Sequence, residues 1–333
     1  MATIYEIADK AGVSPKTAAR ILAGESLKSK HRTQVLACAD ELGYVRNQQA
    51  ANLRTGRSRL VGVLVPYIDN PFYTSFLQEV HNALSSKRYH ALIACSFGEA
   101  ETMLDAMRLF EAYNIDGLVL NVSEGELTPP VLTRLREMQR REKPVIIAGG
   151  PKQNTPHDHF FLDDPRAMGL AVNHLAERGH RKIAFLGATE TNPTIQNRLS
   201  GYRLALKRLQ IDPNPTWVSL GDASLHHVSD RVRAILRGKD KPTAFVCTSD
   251  MIAMAAIRTA VGEGLRVPKD VAVVGFDDID QAAYMNPSLT TMRQPIHEMA
   301  EAIVELALHR LESNALPVQQ RRYDAQIVVR DST

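Results

Sequence analysis

The sequence predicts a small all-α helix-turn-helix head followed by a large α/β body of doubly wound parallel sheets. Three observations predict it. Capped helical periods fill roughly the first 44 residues. Beyond residue 60, short apolar runs alternate with amphipathic stretches. Charge is also divided unevenly between the two parts: residues 1–59 hold ten basic and five acidic side chains, a net of +5, which leaves −2 for residues 60–333.

The head is read from its caps. Thr3-Ile4-Tyr5-Glu6 has the form of a capping box, in which a Thr hydroxyl and a Glu three residues on satisfy each other's free backbone donors. Ile4, Ile7, Ala8 and Ala11 follow at helical spacing, and Gly12 can take the positive φ that ends a helix. Ser14 is a good N-cap and Pro15 a good first helical residue. A second helix is expected from Pro15 to about Leu22, with Ala18, Ile21 and Leu22 inward. A third is expected over 30–42, with Val35, Leu36, Ala39 and Leu42 as its apolar face. Three short helices with a tight turn between the first two form a helix-turn-helix. A basic head on a nearly neutral body points to nucleic acid. So small a unit contacts little sequence alone, so a dimer on two half-sites is expected.

In the body, apolar runs suited to buried parallel strands recur at 60–65, 91–95, 117–120, 145–148, 183–186, 244–247 and 271–275. Amphipathic stretches at 76–86, 101–113, 130–141, 167–178, 198–209 and 251–261 lie between them. Strand–helix alternation argues for doubly wound sheets, and nine or ten strands fit two sheets better than one. A last helix over 296–311 and a strand over 326–329 form a return segment.

Composition narrows the class. Hydrophobic residues at 44% and charged residues at 23% are those of a globular protein, which excludes disorder or coiled coil as the main architecture. No run approaches the ~20 apolar residues that span a bilayer, so no membrane partner is expected. The first residues lack a secretory signal, and three distant cysteines (Cys38, Cys95, Cys247) make no disulfide framework. A cytoplasmic protein is the expectation.

Several segments resemble the lactose-repressor/galactose-repressor family of transcriptional regulators. They are the run from Thr3 to Thr17, Glu41-Leu42-Gly43-Tyr44, Leu53-Arg54-Thr55-Gly56-Arg57-Ser58, Val61-Gly62-Val63-Leu64-Val65-Pro66, Asn70-Pro71-Phe72-Tyr73, Arg178-Gly179-His180-Arg181-Lys182-Ile183, Val274-Gly275-Phe276-Asp277-Asp278, and the stretch from Pro287 to Pro295. They cover nearly the whole chain in order. The resemblance implies a DNA-binding head over 1–46, a hinge helix and linker over 47–59, and a two-lobed periplasmic-binding-protein-like body over 60–333. It implies lobe 1 at about 60–160 and 293–322, and lobe 2 at about 161–292 and 323–333. Crossings between lobes are expected near 160–163, 291–294 and 323–325.

The resemblance also implies roles. Thr3, Ser14, Pro15, Lys16, Thr17, Arg20 and Arg32 fall on the DNA-binding surface. Pro15, Lys16 and Arg20 sit where recognition-helix residues meet base edges, and Lys or Arg can donate to guanine there. Thr17 and Arg32 sit at phosphate positions, which orient rather than specify. Ala19 replaces a serine common in the family and removes one polar contact. Asn47, Ala50 and Leu53 correspond to the hinge helix, with Leu53 as the wedge between base pairs. About eight residues do not hold a helix alone in water, so folding on DNA is implied.

In such a body the ligand lies between the lobes, beyond the carboxyl ends of the strands. The resemblance places Phe72, Tyr73, Arg198 and Asp277 there, and Asn192, Thr194 and Ser249 sit on adjoining loop ends. Rings pack on a sugar's C–H face. A guanidinium grips vicinal hydroxyls or a carboxylate, and Asp277 accepts from hydroxyls. Asp250 reads as a helix cap. Gly221-Asp222-Ala223 lacks the aromatic frequent in relatives, and Gly149-Gly150 replaces an acidic residue. The implied partners are a pseudo-palindromic operator in double-stranded DNA, a second copy of the chain, and a small effector, a sugar or sugar derivative. A nucleobase effector, or a sugar-binding protein without a DNA role, are the other readings.

No phosphate loop, dinucleotide fingerprint, zinc-protease helix motif or serine-hydrolase elbow occurs, so no enzyme activity, cofactor or metal is expected. His157, His159, His226 and His227 read as solvated loop histidines. Cys95 and Cys247 read as small buried hydrophobes at strand ends.

Overall fold

The computed structural model describes residues 2–23, 31–44, 57–122, 126–150, 152, 155–313 and 316–333. The chain divides into two compact units, Met1–Ser58 and Arg59–Thr333.

The first unit contains α1 (Ile4–Lys10), α2 (Pro15–Leu22) and α3 (Arg32–Glu41). The capping box forms: Thr3 N donates to Glu6 Oε2 at 2.7 Å, and Glu6 N donates to Thr3 Oγ1 at 3.3 Å. Hydrogen bonds from Thr3 hold the Glu6 carboxyl below its usual range. Gly12 at φ +60° makes the turn, and a side chain there would meet nothing, so its backbone conformation alone calls for glycine. The core is Ile7, Ala8, Ala11, Ala18, Ile21, Val35, Cys38 and Ala39. Leu36, expected inside, is exposed. Cys38 takes its place because the inward face of α3 runs Val35-Cys38-Ala39 at i, i+3, i+4 spacing.

The second unit holds two six-stranded sheets. Lobe 1 comprises β1 (Leu60–Val65), α4 (Pro71–Ser86), β2 (His90–Cys95), α5 (Ala100–Ala112), β3 (Gly117–Asn121), α6 (Pro129–Arg140), β4 (Val145–Ala148) and β5 (Asp158–Leu162). Lobe 2 follows with α7 (Asp164–Glu177), β6 (Ile183–Leu186), α8 (Pro193–Arg208), β7 (Val218–Ser219), α9 (Leu225–Leu236), β8 (Ala244–Cys247), α10 (Asp250–Gly262), β9 (Ala272–Asp277), α11 (Asp280–Tyr284) and β10 (Thr290–Arg293). The chain returns to lobe 1 as α12 (Ile296–Glu312) and β11 (Gln320–Tyr323), then ends in lobe 2 with β12 (Gln326–Val328).

The strand orders are β11-β5-β4-β3-β1-β2 and β12-β10-β9-β8-β6-β7. Every pairing is parallel except that of β10 with β12. Helices cover both faces of each sheet. In lobe 1, α4 and α12 pack on one face and α5 and α6 on the other. In lobe 2, α7 and α8 oppose α9 and α10. Burial on both faces is why the strands read as continuous apolar runs.

The sheets correct several sequence expectations. Twelve strands form among the described residues, because β5, β7, β10 and β11 are short or carry polar side chains. Residues 161 and 162 belong to lobe 1, since β5 must reach Leu162 to pair with Tyr323. Asp163 N donates to Tyr323 O at 2.9 Å, which holds two of the crossings side by side. His226 and His227 lie in the first turn of α9, not in a loop. His157 and His159 are fully buried beside β4, and burial pushes His157 down to about 4. Cys247 is buried as expected, but Cys95 is only partly so.

Candidate functional site

On the head, the cap of α2 positions the surface. Ser14 Oγ accepts from Thr17 N at 3.1 Å and pairs with Thr17 Oγ1 at 2.8 Å. Pro15 begins the helix. Ala18 and Ile21 face the core, which turns Lys16 and Arg20, four residues apart, to the opposite exposed face. Arg32, at the start of α3, is also exposed. Thr3, Ser14, Pro15, Lys16, Thr17, Arg20 and Arg32 are thus all on one small unit, at helix starts or on outward faces. Asn47, Ala50 and Leu53 lie outside the described residues.

In the body, a cavity of about 830 Å³ opens between the two sheets' carboxyl ends. All seven expected residues line it: Phe72, Tyr73, Asn192, Thr194, Arg198, Ser249 and Asp277. Phe72 and Tyr73 occupy the first turn of α4, begun by Asn70, whose Oδ1 accepts from Phe72 N at 3.0 Å. Their rings meet edge to face at 5.1 Å. Tyr73 packs on the lobe 1 core. Phe72 packs against the lobe 2 cluster that contains Ile252 and Leu289, so its ring crosses the cleft.

Asn192 caps α8, its Oδ1 accepting from Thr194 N at 2.9 Å and Ile195 N at 3.3 Å. A ligand would therefore meet its amide donors. Ser249, rather than Asp250, caps α10: its Oγ accepts from Ile252 N at 3.3 Å. Asp250 instead is the first residue of the helix. It accepts from Ile279 N at 2.9 Å and Thr291 Oγ1 at 2.5 Å, joining α10 to the start of α11 and to β10. Burial pushes its carboxyl up to about 7.

Arg198 is committed within lobe 2. Its Nε donates to Asp164 Oδ1 at 2.7 Å, its Nη1 donates to Thr248 O at 2.5 Å, and its guanidinium carbon lies 3.6 Å from the Phe276 ring centre. The partner of the arginine is Asp164, which sequence reasoning missed. Asp277 ends β9 at φ +119° and Asp278 follows at +57°, a run of left-handed backbone that costs energy in non-glycine residues. Asp277 Oδ1 accepts from Gln294 Nε2 at 2.8 Å. Asp278 accepts from Arg293 Nε at 2.5 Å and Arg330 Nη2 at 2.6 Å. The cleft carboxylate is thereby tied to the 293–295 crossing. Burial pushes Asp277 well above the usual carboxylate range, with Arg198 opposing.

The cavity is also lined by Asp69, Asn121, Asp164, Asp222, Thr248 and Gln294, none of which the sequence singled out as ligand contacts. A polar residue directly after an apolar strand run marks Asn121 and Thr248 in retrospect. Position 223 is alanine at the cavity wall, so the missing aromatic of Gly221-Asp222-Ala223 leaves space there. Among the described residues, no three His, Cys, Asp or Glu side chains group to hold a metal, and no helix is long and apolar enough to cross a membrane.

Known proteins with this arrangement match the chain from end to end. Residues 3–47 match the bacterial regulatory proteins of the lacI family, and residues 172–333 match a periplasmic binding protein-like domain. The HTH-type transcriptional repressor PurR of Aliivibrio salmonicida is 31% identical over 315 residues, 94% of this chain and 93% of that protein. The HTH-type transcriptional repressor CytR of Escherichia coli is 30% identical over 335 residues, 100% of this chain and 96% of that protein. Two solved structures are similar over essentially all of both chains. One is the transcriptional regulator CelR in complex with cellobiose, at 26% identity and a TM-score of 0.73, covering 100% of each chain. The other is the lac repressor bound to ONPG in the repressed state, at 25% and 0.85, covering 100% of this chain and 99% of that one.

Proposed function

The chain belongs to the lacI family of bacterial regulatory proteins, and from that premise we propose that it is a transcriptional repressor, a homodimer that binds a pseudo-palindromic operator and responds to a small effector. The observation that carries this reading is the pairing, in one chain, of a helix-turn-helix head with a two-lobed body enclosing a cavity lined by both apolar and polar side chains.

In this reading Lys16 and Arg20 of α2 contact base edges in the major groove, with Pro15 close to them. Thr3, Ser14, Thr17 and Arg32 serve the phosphate backbone. Asn47, Ala50 and Leu53 enter the minor groove at the operator centre, with Leu53 as the wedge, as the sequence resemblance implies.

The effector is a sugar or sugar derivative, seated between the lobes. Asn192, Thr194, Arg198, Ser249 and Asp277 supply polar contacts, and Phe72 and Tyr73 the flat apolar ones. The cellobiose complex of a similar regulator supports this class. Phe72 packs across the cleft, so an occupant that moves it biases the angle between lobes. A preference for one angle links effector and operator affinity reciprocally, by a typical factor of about 5–150.

The experiment is a fluorescence titration of the full chain on randomised and selected operators, with and without a panel of carbohydrates and nucleobases. Selective operator binding that changes with a carbohydrate is expected. Binding without sequence preference overturns the repressor reading, and response only to a nucleobase overturns the sugar.

A further inference from the structure

The charge of the cavity narrows what can occupy it. Four carboxylates line it: Asp69, Asp164, Asp222 and Asp277. Among the described lining residues Arg198 is the one cationic side chain, and Asp164 and the Thr248 carbonyl already hold it. Arg231, beside Asp222, donates to the carbonyls of Gly187, Ser219 and Asp222, and His227 Nδ1 lies 3.0 Å from the Asp222 carboxylate. Neither Arg231 nor His227 lines the cavity. Asp69 is exposed at the mouth.

Two groups remain underused. Asp277 is 7% exposed and accepts only from the neutral amide of Gln294. Its ionised form lacks a compensating charge of its own, since Arg198 is shared with Asp164 and Asp250 lies close by. Burial therefore holds the carboxyl well above its usual range. Thr248, 2% exposed, lines the same cavity with a buried hydroxyl that has no hydrogen-bond partner. Buried polar atoms are normally satisfied, so an orphan in a ligand-sized cavity points to a ligand group.

We propose that the occupant is an amino sugar, unphosphorylated and without a carboxylate, whose ammonium group is held by Asp277 and whose hydroxyls reach Thr248 and the cap side chains. The proposal rests on the reading of this cavity as the effector site and names its ligand class. An ammonium replaces the missing countercharge of a buried carboxylate, which a neutral hydroxyl does not. A phosphate or carboxylate would enter among four carboxyl groups with no uncommitted cation among the described lining residues to receive it, and like-charge juxtaposition is how a site rejects the wrong ligand.

The test is isothermal titration calorimetry of the full chain with three matched sets: glucosamine, galactosamine and mannosamine, their parent hexoses, and the 6-phosphates of both. At least one amino sugar should bind about tenfold or more tightly than its parent hexose, and its 6-phosphate about tenfold or more weakly than itself. Asp277→Asn should erase the amine preference. Asp222→Asn, an exposed change, should lessen the phosphate penalty even if Asp277→Asn folds poorly. Tightest binding by a phosphorylated sugar or a parent hexose, or no amino sugar bound below ~10 mM, overturns the proposal. If such a hexose or phosphate is weakened by Asp277→Asn or Phe72→Ala, the cavity reading survives that failure. If a sugar binds and neither substitution affects it, the cavity reading itself falls.

Discussion

Arg198 Nε donates to Asp164 Oδ1 at 2.7 Å, and the two side chains are 9% and 3% exposed. The cleft arginine is therefore held by a carboxylate on α7 before any ligand arrives. Burial raises the Asp164 carboxyl and Arg198 opposes that shift, so each group makes the other tolerable in the interior. Removing one partner leaves an uncompensated charge. Asp164→Ala should lower stability by roughly 3–5 kcal/mol, read by urea denaturation, and should weaken effector binding more than operator binding. A loss below ~1 kcal/mol would mean that the pair behaves as a solvated surface bridge.

Operator recognition should divide by residue. Lys16→Ala should relax base preference at one or two positions per half-site, at a cost of ~1–3 kcal/mol. Arg32→Ala should weaken all sequences alike. Selection from randomised operators checks both, and identical base preferences for wild type and Lys16→Ala would refute the readout role.

Binding should also be steeply salt-dependent, because residues 1–59, the head with its hinge and linker, carry a net +5 charge and each neutralised phosphate releases counterions. The slope of log affinity against log salt should fall by about one for Arg32→Ala. A flat salt profile would remove phosphate contact from the interaction.

Close packing of α7 on α8 depends on Gly201. A Cβ there would lie 2.2 Å from the Pro165 carbonyl oxygen, against backbone that cannot swing aside. Gly201→Ala should force the helices apart and cost roughly 1–3 kcal/mol or more. A thermal melt within a degree of wild type would show that the contact relaxes freely.

Asp250 gives a pH signature. Its carboxyl is raised to about 7 by burial, so the native state binds a proton there that the unfolded state releases near 4. Its contribution to stability is complete below about 4 and is lost as pH rises towards 7. His157 and His174, both lowered to about 4, act in the opposite sense over much of that window. The difference between wild type and Asp250→Asn isolates the carboxyl. Asp250→Asn should keep the acceptor for Ile279 N and gain relative stability as pH rises from 5 to 8. Parallel stability curves would show that Asp250 does not titrate in this range.

Much of this molecule was legible because the signals are local. Thr3 and Glu6, or Ser14 and Thr17, lie within one helical turn, so their bonds follow from spacing alone. The central strands were legible because burial on both faces demands unbroken apolar runs, as in Leu60–Val65 and Val145–Ala148. β5 escaped because it begins Asp158-His159. Those polar side chains are buried by specific partners: Arg310 donates to both Asp158 oxygens at 2.8 Å, and Gly149 O lies 2.8 Å from His159 Nε2. α9 escaped because its first turn is Leu225-His226-His227.

Of the seven cleft residues, Phe72, Tyr73, Arg198 and Asp277 came from resemblance, and the sequence by itself determined only that Asn192, Thr194 and Ser249 lie at loop ends beside them. Tertiary structure decided which charges meet. Asp163-Asp164-Pro165 caps and begins α7, three residues before the stretch expected from sequence, and nothing near it announces that its second carboxylate will hold an arginine 34 residues away. That pairing arises because α7 and α8 pack side by side, close enough that Gly201 admits no side chain against Pro165. Likewise, Asp277 reads as a free ligand acceptor, but the path of the return crossing brings Gln294 onto it. Caps and apolar periods are short-range and survive in one dimension, whereas the charge balance of a buried cleft is set by distances between segments, which only the packed lobes determine.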